Sequence, residues 1–153
     1  MDAACGSACE RVHVVLGAEH ERVARELAGS RAESVVNERW HEGLSSSIAL
    51  GVAAAADASP DGFLLLVADQ PNVSSALLDR VLSAWDGTAT GVAACRYAGT
   101  AGVPAVFGRA HREALTSLSG DRGARDLLAR AALVDWEEGA VDVDTPEDAA
   151  SLP

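Results

Sequence analysis

Two stretches of this chain place carboxylates where chemistry is commonly done. In FLLLVADQPNV, residues 63–73, an apolar run stops at Asp69, Gln70 and Pro71, and in DVDTPED, residues 142–148, Asp142 and Asp144 precede Pro146. Carboxylates brought together without a cation disfavour each other's charge, so a converging pair offers a seat to a hard divalent ion such as Mg²⁺. The same residues have a plainer use. Asp69 and Asn72 can cap the helix expected over Ser74 to Ala84, while Asp142, Asp144 and Asp148 can serve as solvated charges and a helix cap. Spacing alone does not choose between these uses, although it does exclude a calcium loop, which needs more acidic positions and a central glycine.

The elements that must position these groups alternate along the chain. A short apolar run bounded by turn residues suits a strand covered on both faces, and in open α/β sheets ligands gather beyond the carboxyl ends of such strands. Strands are expected at Val12–Leu16, Glu33–Val36, Phe63–Ala68, Gly91–Tyr97, Val103–Phe107, Val134–Trp136 and Val141–Val143. Helices are expected at Glu19–Leu27, from Ser45, Ser46 and Ser47 as N-caps to Ala58, and at Ser74–Ala84, Arg109–Ser117, Arg122–Ala131 (capped by Asp121) and Pro146–Leu152. A polar loop, Asn37–Gly43, carries Trp40, and a glycine-rich turn over residues 99–102 joins two of the strands. Strands alternating with helices imply βαβ units, hence an α/β fold with a mostly parallel sheet in one domain over residues 1–153.

Composition narrows the function classes. The net charge is −11, and the 12 basic residues are all arginines scattered along the chain, so no cationic stripe for nucleic acid exists. Without a lysine the chain has neither a Schiff-base amine nor a P-loop lysine. Cys5, Cys9 and Cys95 are odd in number, and no second ligand pair follows the first two, so a reduced, cytoplasmic setting is the simpler expectation. No apolar stretch approaches the ~20 residues of a membrane span. His20-Glu21 and His41-Glu42 do not continue into a zinc-protease motif.

Four stretches together carry a likeness: VVNERWHEGLSSSIALGV (35–52), FLLLVADQPNV (63–73), GVPAVFGR with GDRGARDLL (102–128) and DVDTPED (142–148). In order and spacing the chain resembles the molybdenum cofactor cytidylyltransferase-like, or MobA-like, NTP transferases, which have a Rossmann-like, three-layer glycosyltransferase-A type fold. The resemblance implies that Asp69 and Asp144 bind Mg²⁺ and serve catalysis. It further implies that Asn37, Gly43, Ser45, Ser46 and Gln70 lie by the nucleotide, and that Gly102 and Pro104 line the acceptor side. The implied reaction is attack by the terminal phosphate of a molybdopterin-type small molecule on the α-phosphorus of a nucleoside triphosphate, with pyrophosphate leaving. Asp-Gln-Pro after the strand resembles the cytidylyl branch, which favours CTP.

The chain also departs from that pattern. The family opens with a strand and a glycine-rich loop, of the type LAAGxSxRxGxxK, that cradles the triphosphate, and this sequence contains no such loop. Its first residues resemble the end of the family's first helix and its second strand, so one central strand, between those at Val12 and Phe63, is expected to be missing. Unpaired edges would then favour association into homo-oligomers. The resemblance thus leaves open a shortened active enzyme, unable as given to transfer a nucleotide unaided, a noncatalytic remnant, or a nucleotide- or partner-binding module. A sugar-phosphate or other small-molecule nucleotidyltransferase is the remaining reading.

Overall fold

The apolar run at Phe63 does form a strand, in a computed structural model that describes residues 1–120, 123–141 and 143. The strands are β1 (His13–Leu16), β2 (Glu33–Val36), β3 (Gly62–Leu65), β4 (Val92–Tyr97), β5 (Thr100–Gly108) and β6 (Ala132–Asp135). The helices are α1 (Asp2–Gly6), α2 (His20–Glu26), α3 (Leu44–Ala56), α4 (Ser75–Ala84) and α5 (Arg112–Thr116).

Pairing divides these strands into two sheets. β1 and β2 pair in parallel, and the other sheet runs in the order β3-β5-β4-β6. In it β5 is antiparallel to both β3 and β4, while β6 is parallel to β4. β3, β4 and β6 therefore share one direction and β5 alone opposes them, which gives the mostly parallel sheet expected, with one reversed strand. Among the described residues, β1 and β3 are not hydrogen-bonded to each other.

Side-chain alternation along the strands makes two cores. Phe63, Ala94, Ala105 and Phe107 face Val52 of α3 and Leu115 of α5, while Ala93, Cys95, Val106 and Val134 face Leu77 and Val81 of α4. The result is three layers, helix, sheet and helix. A third cluster joins the two sheets, because Val12 and Val14, beside and within β1, meet Leu64 of β3, Leu78 of α4 and Ala4 of α1. α3 packs against both β1 and β3 on the opposite side.

Several local outcomes differ from expectation for identifiable reasons. The serines do not cap α3; its N-cap is Gly43 at φ 98° and ψ 177°, a region essentially reserved for glycine. The β4–β5 turn is two residues, Ala98 and Gly99, with φ 47° and 74°, the double left-handed geometry that suits strand twist. Gly102 consequently belongs to β5. Between the pairs Ala94–Ala105 and Cys95–Gly102 the register shifts, and Pro104, which has no N–H to offer a ladder, occupies that irregularity. The helix expected over Arg122–Ala131 is only a 3₁₀ turn at Arg125–Leu128, following Gly123 at φ 59°. Residues 137–140, where no element was expected, also form a 3₁₀ turn, and neither Val141 nor Val143 lies in a strand. Asp121 and the helix expected at Pro146–Leu152 lie outside the described residues.

One side chain gathers several carbonyls at the start of the chain. Arg31 donates to the carbonyls of Cys5 at 2.7 Å, Cys9 at 2.9 Å, Glu10 at 3.1 Å, Ala4 at 3.3 Å and Ser7 at 3.4 Å. A short helix followed by irregular backbone leaves carbonyls without helical partners, and the guanidinium fork supplies donors for them.

Candidate active site

Asp69 sits four residues beyond β3, in the turn that leads to α4, and it does not cap that helix. Ser74 does, its hydroxyl accepting from the Leu77 N–H at 3.2 Å. The capping use of Asp69 and Asn72 is thereby set aside. The Asp69 Oδ1 atom is buried and has no hydrogen-bond partner among the described residues. A buried carboxylate oxygen without a donor is costly unless something else satisfies it, and a hard cation favours such oxygen ligands.

Around Asp69 the loop is tied to the segment that follows β6. The Val143 N–H donates to the Asp69 carbonyl at 2.8 Å, and Asn72 Nδ2 donates to the Glu138 carbonyl at 3.4 Å. Gln70, only 6% exposed, donates from Nε2 to the Tyr97 phenol oxygen at 3.1 Å and to the Gly139 carbonyl at 3.3 Å. The Tyr97 ring meets Trp136 edge-on, with centroids 5.7 Å apart. Asp142, Asp144 and Asp148 lie outside the described residues. No cluster of three or more acidic, His or Cys side chains suited to a metal occurs among the described residues.

Of the residues that the resemblance assigned to the nucleotide, Gln70 belongs with the Asp69 loop, and Asn37, Gly43, Ser45 and Ser46 form a second group. Asn37, buried, donates from Nδ2 to the hydroxyls of Ser46 at 2.9 Å and Ser47 at 3.0 Å, while its Oδ1 accepts from the Arg39 N–H at 3.0 Å. Ser46 Oγ donates toward the carbonyls of Gly43 at 2.8 Å and Arg39 at 3.1 Å. These bonds fasten the 37–43 loop to the start of α3. Ser45 is buried, and its hydroxyl has no partner among the described residues. Trp40 is half exposed and anchored by its β-carbon above Gly17.

Of the two acceptor-side residues, Gly102 lies against the Tyr97 ring, where a Cβ would stand 2.8 Å from the ring carbon Cζ. It thus touches the same phenol that Gln70 uses. Pro104 is fully buried in the core and presents no surface to a substrate in this conformation. Two arginines are engaged in ion pairs, Arg96 with Asp135 at 2.6 Å and Arg109 with Asp61 at 3.2 Å. The Arg96 guanidinium bonded to Asp135 holds that carboxyl below the usual range, which in turn raises Arg96.

Sequence reasoning missed Tyr97 and Gly139. Tyr97 is the chain's only tyrosine, a signal that could have drawn attention to it. Nothing in the spacing of Gly139 points to Gln70. A Cβ at Gly139 would stand 2.6 Å from atoms of both Trp136 and Tyr97, so only glycine lets its carbonyl come this close.

Comparison with known proteins places this geometry. Among curated proteins, no sequence matches the chain. The solved structure of Rv0371c from Mycobacterium tuberculosis superposes with a TM-score of 0.73 at 29% identity, covering 97% of this chain and 78% of that one. Rv0371c in complex with manganese gives a TM-score of 0.75 at 28% identity, over 97% and 80% of the two chains. A nucleotidyl transferase from Methanothermobacter gives 0.72 at 25% identity, over 96% and 69%. The family shared at the level of sequence is matched along residues 1–136, the whole span from α1 through β6, and by that match the chain belongs to the MobA-like NTP transferase domain family.

Proposed function

We propose that this chain is a divalent-cation-dependent nucleotidyltransferase domain, with Mg²⁺ the physiological ion and CTP the favoured nucleotide. The acceptor is the terminal phosphate of a small molecule of the molybdopterin class, and pyrophosphate is the leaving group. The observation that carries this reading is the buried Asp69 Oδ1 beyond the carboxyl end of β3, without a partner among the described residues, on a residue whose own carbonyl is tied to Val143. Asp144 is covalently next to Val143, which makes it the natural second oxygen ligand. The manganese complex of a similar fold supports a divalent ion.

The donor set fits such an ion, because carboxylate oxygens are the ligands that hard cations take. When bound, the cation would neutralise charge on the phosphates and orient them. The chain's own part is alignment. Asp69 holds its carboxylate on a loop fixed to residues 138, 139 and 143, and the Asn37 network holds the 37–46 loop rigid beside the start of α3. No protein nucleophile is needed, since the acceptor phosphate itself attacks.

Pyrophosphate release from CTP, GTP, ATP and UTP, each with Mg²⁺ or Mn²⁺ and a molybdopterin-type acceptor, tests the reading. We expect release with CTP, lost in Asp69→Asn by a factor of at least ~10². Equal release by the variant would overturn the role of Asp69. A second reading, a nucleotide-binding module without turnover, is favoured by the lack of a glycine-rich phosphate loop within these residues. It predicts calorimetric binding of the Mg-nucleotide with no pyrophosphate formed. The edges of β1 and β3, unpaired among the described residues, lend either form to self-association.

A further inference from the structure

We propose that Gln70 is a positioning residue that fixes the Asp69 carboxylate against the 137–143 segment, rather than a contact to the nucleotide. The inference rests on reading Asp69 as a cation ligand. Both acceptors of the Gln70 amide N–H₂ group are protein atoms, the Tyr97 phenol at 3.1 Å and the Gly139 carbonyl at 3.3 Å, and the side chain is buried. Its donors are therefore committed to the protein and turned away from solvent.

The surroundings receive the N–H₂ half of that amide, while its Oε1 is buried with no partner among the described residues. Trp136 packs edge-on against Tyr97, and Gly139 lies so close to both rings that a side chain there would displace them. Gly102 leaves room on the other side of the phenol. On either side of Gln70, the Asp69 carbonyl takes the Val143 N–H and the Asn72 amide reaches the Glu138 carbonyl. Residues 69, 70 and 72 are thus each fastened to one segment, and the central fastening is the buried one. Groups that hold a metal ligand in place set its affinity as surely as the ligand itself, and losing one typically costs about 10- to 100-fold.

Mn²⁺ titrated into the purified protein and followed by electron paramagnetic resonance, well below the melting temperature, tests this directly. We expect Gln70→Ala to weaken Mn²⁺ binding by about tenfold or more, and the amide exchange of Val143, read by NMR, to accelerate relative to amides in β4. Gln70→Glu keeps the length but offers no N–H, so it should bind Mn²⁺ no more tightly than the natural chain. Tyr97→Phe removes the phenol and should give an intermediate loss, which serves if Gln70→Ala does not fold. Unchanged Mn²⁺ affinity in Gln70→Ala overturns the proposal, as does tighter binding in Gln70→Glu, which would make the side chain a ligand. If the natural protein binds no Mn²⁺, the cation reading of Asp69 fails. Val143 exchange then still decides the role of Gln70, acceleration in Gln70→Ala sustaining it and an unchanged rate overturning it.

Discussion

At the scale of single residues, burial separates groups that can react from groups that cannot. Cys95 lies in the α4-facing core, and burial pushes its thiol up to about 11 from an ordinary 9.0, against a smaller opposing pull from Arg80. It is a packing residue, whereas Cys5 and Cys9 are only half buried. A thiol reagent at mildly alkaline pH should modify two cysteines of the native protein quickly and the third only after unfolding. Because the folded thiol ionises later than the unfolded one, its contribution to stability is complete below pH 9.0 and is lost as pH rises from 9.0 towards about 11. Denaturation midpoints measured across that window should fall for the natural protein and stay flatter for Cys95→Ala. Asp69 was legible from its place at the end of an apolar run. The commitment of Gln70 was not, because its partners, Tyr97 and Gly139, stand 27 and 69 residues away and no local pattern encodes such contacts.

At the scale of elements, local rules succeed where one residue type decides the outcome. β2 has the bounds that its Val-rich run implies, and α4 begins after Ser74 because that hydroxyl satisfies an otherwise orphaned N–H. Ser74→Ala should therefore cost about 1 kcal/mol, seen as a lower urea midpoint with an unchanged slope. Where two local rules compete, the backbone resolves them. Three serines advertise a cap for α3, yet Gly43 reaches a conformation that they could not adopt cheaply, and Ser46 turns its hydroxyl to neighbouring carbonyls instead. The alanine- and leucine-rich stretch after Asp121 has helical propensity, but Gly123 at φ 59° reorients the chain and leaves only a single tight turn.

For the whole molecule, alternation of strands and helices was enough to anticipate a layered α/β fold, and the division into two sheets follows from the strands that these residues contain. What could not be read was the reversed strand β5, since a two-residue turn at Ala98–Gly99 is what sends it back along β4. Among the described residues the facing sheet edges at β1 and β3 are unpaired, while the chain carries a net charge of −11, so edge-to-edge association is opposed by repulsion between copies. Added salt screens that repulsion. Sedimentation velocity should show more association at high than at low ionic strength, and the opposite trend would argue against edge pairing of like-charged copies.

The fastening of the Asp69 loop to residues 138–143 also has a temporal meaning. Its buried bond closes a loop of 69 residues, and contacts of such long range form late, after the entropy of closing the chain has been met. During synthesis the helices and the β4–β5 hairpin can form before residue 139 has emerged, but the carboxylate cannot be held in place until it does. Capture of a metal ion at Asp69 would then report that the segment through residue 139 has been made and folded onto the loop, so a copy in which that contact has not formed would leave scarce cations to folded ones.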